Sequence, residues 1–103
     1  MYVVTFRSRL APGHDAAEYA ARAKRMLELA ERIPGFRSFR AYASDDGERL
    51  SLIEFETAEA LRAWREHPEH REAQRRGRER YYSEYHLQVC ELVRESHRES
   101  ASG

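Results

Sequence analysis

Residues 36–56 read FRSFRAYASDDGERLSLIEFE, and this stretch decides the fold. Two strand-like runs, Phe36 to Ala43 and Arg49 to Glu56, flank Ser44-Asp45-Asp46-Gly47-Glu48. That middle segment is rich in turn formers, and its glycine can adopt positive φ, so the whole reads as a β-hairpin. Its second strand is apolar on both parities, Leu50 and Leu52 against Ile53 and Phe55, which predicts a sheet covered on both faces.

Upstream, Tyr2 to Arg9 carries large side chains on both parities and is predicted to be a strand that ends at Pro12-Gly13. Asp15, followed three residues later by Glu18, is a variant of the capping box. Tyr19, Ala23, Met26, Leu27, Ala30 and Ile33 then recur at helical spacing as far as Pro34-Gly35. On the outer face of this helix, Glu18 with Arg22 and Glu28 with Arg32 are expected to pair at i,i+4. Downstream, Thr57 can cap a second helix carrying Ala60, Leu61 and Trp64. Pro68 either kinks that helix or opens a new segment as its first residue. A last strand is expected from Ser83 to Arg94, with Tyr85, Leu87, Val89 and Val93 on one face.

The order strand, helix, strand, strand, helix, strand is the split βαβ arrangement of a ferredoxin-like α+β domain. Right-handed crossovers put both helices on one face of a four-stranded antiparallel sheet. The other face lacks internal cover, and a second copy of the chain packing sheet against sheet would supply it, so a homodimer is expected. The domain is assigned to residues 1–94; Glu95 to Gly103 is a polar tail, read as disordered.

Composition narrows the function. With 103 residues the chain is one domain. Its 18 basic and 18 acidic residues cancel, which argues against nucleic-acid binding through excess positive charge. No stretch approaches the ~20 apolar residues needed to span a bilayer, and Met1 to Phe6 lacks the features of a leader peptide, so a soluble cytoplasmic protein with no membrane contact is expected. Cys90, the single cysteine, excludes an intrachain disulfide and a cysteine zinc site within one chain, and reads as an apolar filler of the last strand.

Arg65 to Arg80 is anomalous, because Ala73 is its only clearly apolar side chain besides Pro68. A helix there presents a polar or shallow face inward. His67, His70, Gln74, Gly77 and Tyr81 fall on one side at spacings of three and four, and Gly77 would leave a gap able to admit a ligand. The alternative is a helix lying on the surface with its histidines and arginines solvated.

The Pro34-Gly35-Phe36 turn, the strand ending Ile53-Glu54-Phe55-Glu56, and Ala60-Leu61-Arg62-Ala63-Trp64-Arg65 followed by His70, Ala73-Gln74 and Gly77-Arg78 together resemble the antibiotic biosynthesis monooxygenase family of dimeric α+β barrels. The likeness runs over about residues 2 to 94. It implies a homodimer with one pocket per subunit between sheet and helices, and oxidation of phenolic aromatic molecules by oxygen without metal, flavin or haem. The family's haem-degrading branch uses an asparagine, a tryptophan and a histidine at positions matched here by Ser8, Phe55 and Gln74. Gln74 cannot replace an imidazole as iron ligand, which disfavours haem degradation. The phenol-oxidising branch again has tryptophan where Phe55 stands, and Ser51 is the nearest counterpart of its amide.

His70 is therefore the candidate catalytic base, since an imidazole titrates near neutral pH; its alternative is an exposed helical histidine. Ser8, Ser51, Phe55, Trp64, Gln74, Arg78 and Tyr81 are the candidate substrate-binding residues; the alternative for Trp64 is a core anchor under the second helix, and for Arg78 a solvated arginine. His67 reads as a cap on the turn. Of Tyr81 and Tyr82, one should face inward and the other outward, while Tyr85 or His86 faces the barrel. The competing functions are a cofactor-independent monooxygenase, a haem-binding relative, and a non-enzymatic interaction dimer whose pocket is filled by Phe6, Phe55 and Trp64.

Overall fold

Three side-chain caps start the helices. In the computed structural model, which describes residues 1–100, an Asp15 carboxylate oxygen accepts the Glu18 N–H at 2.9 Å and opens α1 (Ala16–Glu31). Thr57 Oγ1 accepts the Ala60 N–H at 3.1 Å and opens α2 (Ala58–Glu66). His67 Nδ1 accepts the Glu69 N–H at 3.1 Å and opens α3 (Pro68–Arg76). Each satisfies an N–H that the first helical turn leaves without a partner. Pro68 thus begins a new helix, at a position where its missing N–H costs nothing. His67 is the cap its position suggested.

Strands β1 (Tyr2–Leu10), β2 (Phe36–Ala43), β3 (Arg49–Phe55) and β4 (Tyr82–Glu91) form one antiparallel sheet in the order β2-β3-β1-β4. This is the expected ferredoxin-like α+β architecture. β4 is shorter than the expected Ser83 to Arg94. Tyr2 pairs with Glu91, Leu92 N–H reaches Met1 O at 2.8 Å, and Val93 is 94% exposed. Residues 92–100 form no helix or strand. The tail expected to be disordered ends in residues 101–103, which lie outside the described residues.

The core lies between sheet and helices: Val4, Ile53 and Phe55 meet Met26, Leu29 and Ala30 of α1 and Ala60 and Trp64 of α2. Phe55 is fully buried against the rings of Phe36 and Trp64, at centroid distances of 6.2 and 6.4 Å, and its burial contributes roughly 1.5–3 kcal/mol. Gly35, at φ +94°, lets the α1–β2 turn pass so close to α2 that an added Cβ would lie 2.9 Å from Ala60 Cβ.

Two surface expectations change. Glu18 does not pair with Arg22; it accepts from Arg76 Nε at 2.7 Å and from the Tyr81 hydroxyl at 2.9 Å, because α3 and the segment after it pack across the start of α1. Glu28 sits near Arg25 at 3.7 Å rather than with Arg32. Cys90 is in β4 but exposed on the face away from the helices, so within one chain it fills no core.

Candidate functional site

Register decides which side chains form the floor of the site. Arg49, Ser8 and Tyr85 lie in one row across β3, β1 and β4; Ser51, Phe6 and Leu87 make the next, and Ile53, Val4 and Val89 the third. Strand alternation puts all nine on the helix side. The helices cover the β3 end of these rows and leave the β4 end open, with Leu87 48% and Val89 49% exposed. Between floor and helices lies a cavity of about 590 Å³, roughly midway in the range typical of small-molecule sites.

At one end of the roof is His70. Its ring lies over Trp64, centroids 4.0 Å apart at 31°, and its Nδ1 is buried with no hydrogen-bond partner. Burial lowers the His70 pKa to about 4, against the opposing pull of the Arg65 and Trp64 backbone, so the imidazole is neutral at physiological pH. The first turn of α3 that carries His70 is tied to α1 by Arg25, which donates to both Glu69 carboxylate oxygens at 2.8 and 3.0 Å.

Aromatic side chains form the other end. Phe6, Tyr19, Tyr82 and Tyr85 enclose it, with Phe6 and Tyr82 edge to face at 5.2 Å and Phe6 and Tyr85 stacked at 5.8 Å. Arg49 lies 5.7 Å above the Tyr19 ring. Gly77 is necessary here for a reason other than a ligand-sized gap: a Cβ on it would come within 2.5 Å of Tyr82 Cε2, so the space is occupied by the chain's own tyrosine. Gly77–Tyr81 is a π-helical turn, and the wider turn brings both Tyr81 and Tyr82 onto the cavity instead of sending one outward. Burial raises both phenol pKa values, with Glu18 adding to the effect at Tyr81 and Tyr19 at Tyr82; both remain protonated hydrogen-bond donors at neutral pH.

Of the residues singled out from sequence, Ser8, Ser51, Trp64, His70, Gln74, Arg78 and Tyr81 line this one cavity. Phe55 does not; it is sealed beneath Trp64 as core. Tyr85 faces the helix side and His86 the opposite side. Arg22 and Arg49 also line the cavity and were not foreseen, although the parity that selects Ser51 selects Arg49 as well; Tyr82, the other of the two tyrosines of which one was expected inward, lines it too. Among the described residues no three His, Cys, Asp or Glu side chains converge in a way that could hold a metal ion.

Fold and cavity together define a ferredoxin-like α+β domain with a pocket of ligand size between its sheet and its helices. The family model described as antibiotic biosynthesis monooxygenase matches residues 1–76, and the chain belongs to that family. The match ends with α3, before Tyr81, Tyr82 and Tyr85. YqjZ of Bacillus subtilis (strain 168), itself uncharacterised, is 30% identical over 94 residues, 91% of this chain and 81% of that one. Rv0793 from Mycobacterium tuberculosis superposes with a TM-score of 0.79 at 21% identity, covering 93% of this chain and 98% of its own. The crystal structure of an antibiotic biosynthesis monooxygenase gives 0.74 at 10% identity, covering 91% and 100%. At these identities the structural likeness establishes the fold. Among the described residues no helix is long and apolar enough to cross a membrane.

Proposed function

We propose that this protein is a cofactor-independent monooxygenase of a small phenolic aromatic molecule, with His70 as the proton acceptor. The observation that carries this is the imidazole of His70, which lines an otherwise largely apolar cavity and which burial holds neutral at physiological pH. A free base in a desolvated site is what removal of an acidic C–H or phenolic O–H requires. Burial is the main cause of the low His70 pKa. An anion developing beside the ring stabilises imidazolium and moves its pKa back toward neutrality.

For an anthrone-like substrate the step balances as follows. The imidazole takes a proton from the activated CH2, and the carbanion transfers electrons to dioxygen and binds it as a peroxide. After protonation, removal of the second C–H proton expels the distal oxygen as water and leaves a ketone. Trp64 supplies the apolar surface against which His70 is held, and the Tyr82 hydroxyl is a protonated donor for the oxygen atoms. Oxygen uptake by metal-stripped protein with anthrones or hydroquinones tests this. Rates no higher than without protein across that panel would sink it.

The active unit in this proposal is a homodimer joined through the outer sheet face. Val3, Leu50 and Leu52 are only partly covered there, which supports the pairing. The face is less greasy than the sequence suggested: Thr5 bonds Gln88 at 3.2 Å, Ser38 bonds Glu54 at 2.6 Å, and Arg7 and Arg40 stand among them.

A further inference from the structure

The charge around the cavity is one-sided. The chain holds equal numbers of acidic and basic residues, so a wall drawn from it at random would hold both signs equally. Among the described residues this wall contains Arg22, Lys24, Arg49, Arg65 and Arg78 and no aspartate or glutamate. Among the described residues none of the five is within ion-pair distance of a carboxylate, whereas Arg9, Arg25, Arg75 and Arg76, outside the cavity, all are. A cleft with low-dielectric walls and one sign of charge concentrates ligands of the opposite sign.

Arg49 is the best placed of the five. The Tyr19 ring holds its guanidinium from one side, and its row neighbours Ser8 and Tyr85 offer hydroxyls on the same floor. A guanidinium presents a planar fork of donors that fits a carboxylate in two parallel bonds. The Arg49 row lies three two-residue steps along β3 from Phe55, which supports Trp64 and His70, or about 20 Å at the usual strand rise. Arg49 thus belongs to the aromatic end of the cavity, which Phe6, Tyr19, Tyr82 and Tyr85 enclose.

We propose that the cavity selects an aromatic anion, a hydroxylated ring system bearing a carboxylate, and that Arg49 is the residue that reads the carboxylate. This rests on the cavity being the substrate site, but not on oxygen chemistry taking place there. Isothermal titration calorimetry of the full chain with 1-hydroxy-2-naphthoate and 1-naphthol, which share ring and hydroxyl and differ in the carboxylate, tests it. The acid is expected to bind at least tenfold more tightly at low salt. Arg49→Gln should bring the two within about threefold, and Arg62→Gln, which alters an exposed arginine outside the cavity, should keep the preference. Equal affinities in the wild type, a preference that survives Arg49→Gln, or binding of neither compound would each overturn the proposal. Arg49 is exposed in a strand that pairs on both sides, so its truncation leaves the fold intact. A carboxylate preference without oxygen uptake sinks the monooxygenase proposal and leaves this one standing; equal turnover of acid and neutral phenol does the reverse.

Discussion

His70 connects the site to pH in two separable ways. Its pKa is lowered from the ordinary value of 6.5 to about 4, so the unfolded chain binds a proton before the folded one does. Stability therefore falls as pH drops from about 6.5 toward 4 and is insensitive to this residue above that range, by at most about 3 kcal/mol. Thermal melts between pH 4 and 7 should show that acid slope in wild type and a shallower one in His70→Asn. Turnover, where measurable, should fall about 100- to 10,000-fold in the same variant, the usual range for loss of a general base. An unchanged rate removes His70 from the chemistry. At the same scale, Gly77→Ala forces Tyr82 from its place and should cost about 1–3 kcal/mol despite the better helix propensity of alanine. In a Tyr82→Ala background the same change should become neutral or stabilising, as a double-mutant comparison of melting temperatures will show. His70 was legible from sequence because three- and four-residue spacings predict a helix face. That Tyr82 fills the space beside Gly77 was not, because a π-turn has no clear signature in residue type.

Helix starts and turns were the most legible elements. Asp15, Thr57 and His67 act within three residues of themselves, so local sequence suffices to identify them. His67→Ala should cost roughly 1 kcal/mol as a lost cap and loosen α3 enough to speed amide exchange through its first turn. Gly35→Ala combines a positive φ with a Cβ pressed onto Ala60, and should lower the melting temperature more than the cap variant does. The Arg25–Glu69 and Arg76–Glu18 ties were not readable, since each joins residues more than forty positions apart and opposite charges are abundant all along the chain. For the same reason Glu18 was matched to a neighbour on its own helix when its partners come from the end of α3 and the turn after it.

At the scale of the whole molecule, sedimentation equilibrium at micromolar concentration should report a species of twice the 12.1 kDa chain mass, and Leu52→Arg, on the outer face, should shift it toward one chain. A single-chain mass for the wild type contradicts sheet-to-sheet pairing. By itself the sequence determined the order of elements, the ferredoxin-like topology and the placement of both helices on one face of the sheet, because alternation and helical period are local and handedness leaves few ways to connect them. Only the tertiary structure decided that Phe55 is sealed while Ser51 is not, that both Tyr81 and Tyr82 face the cavity, and that its wall holds cations without a carboxylate. Those outcomes depend on the depth at which a helix settles over a sheet and on which distant charges find each other, and no nearest-neighbour pattern encodes either.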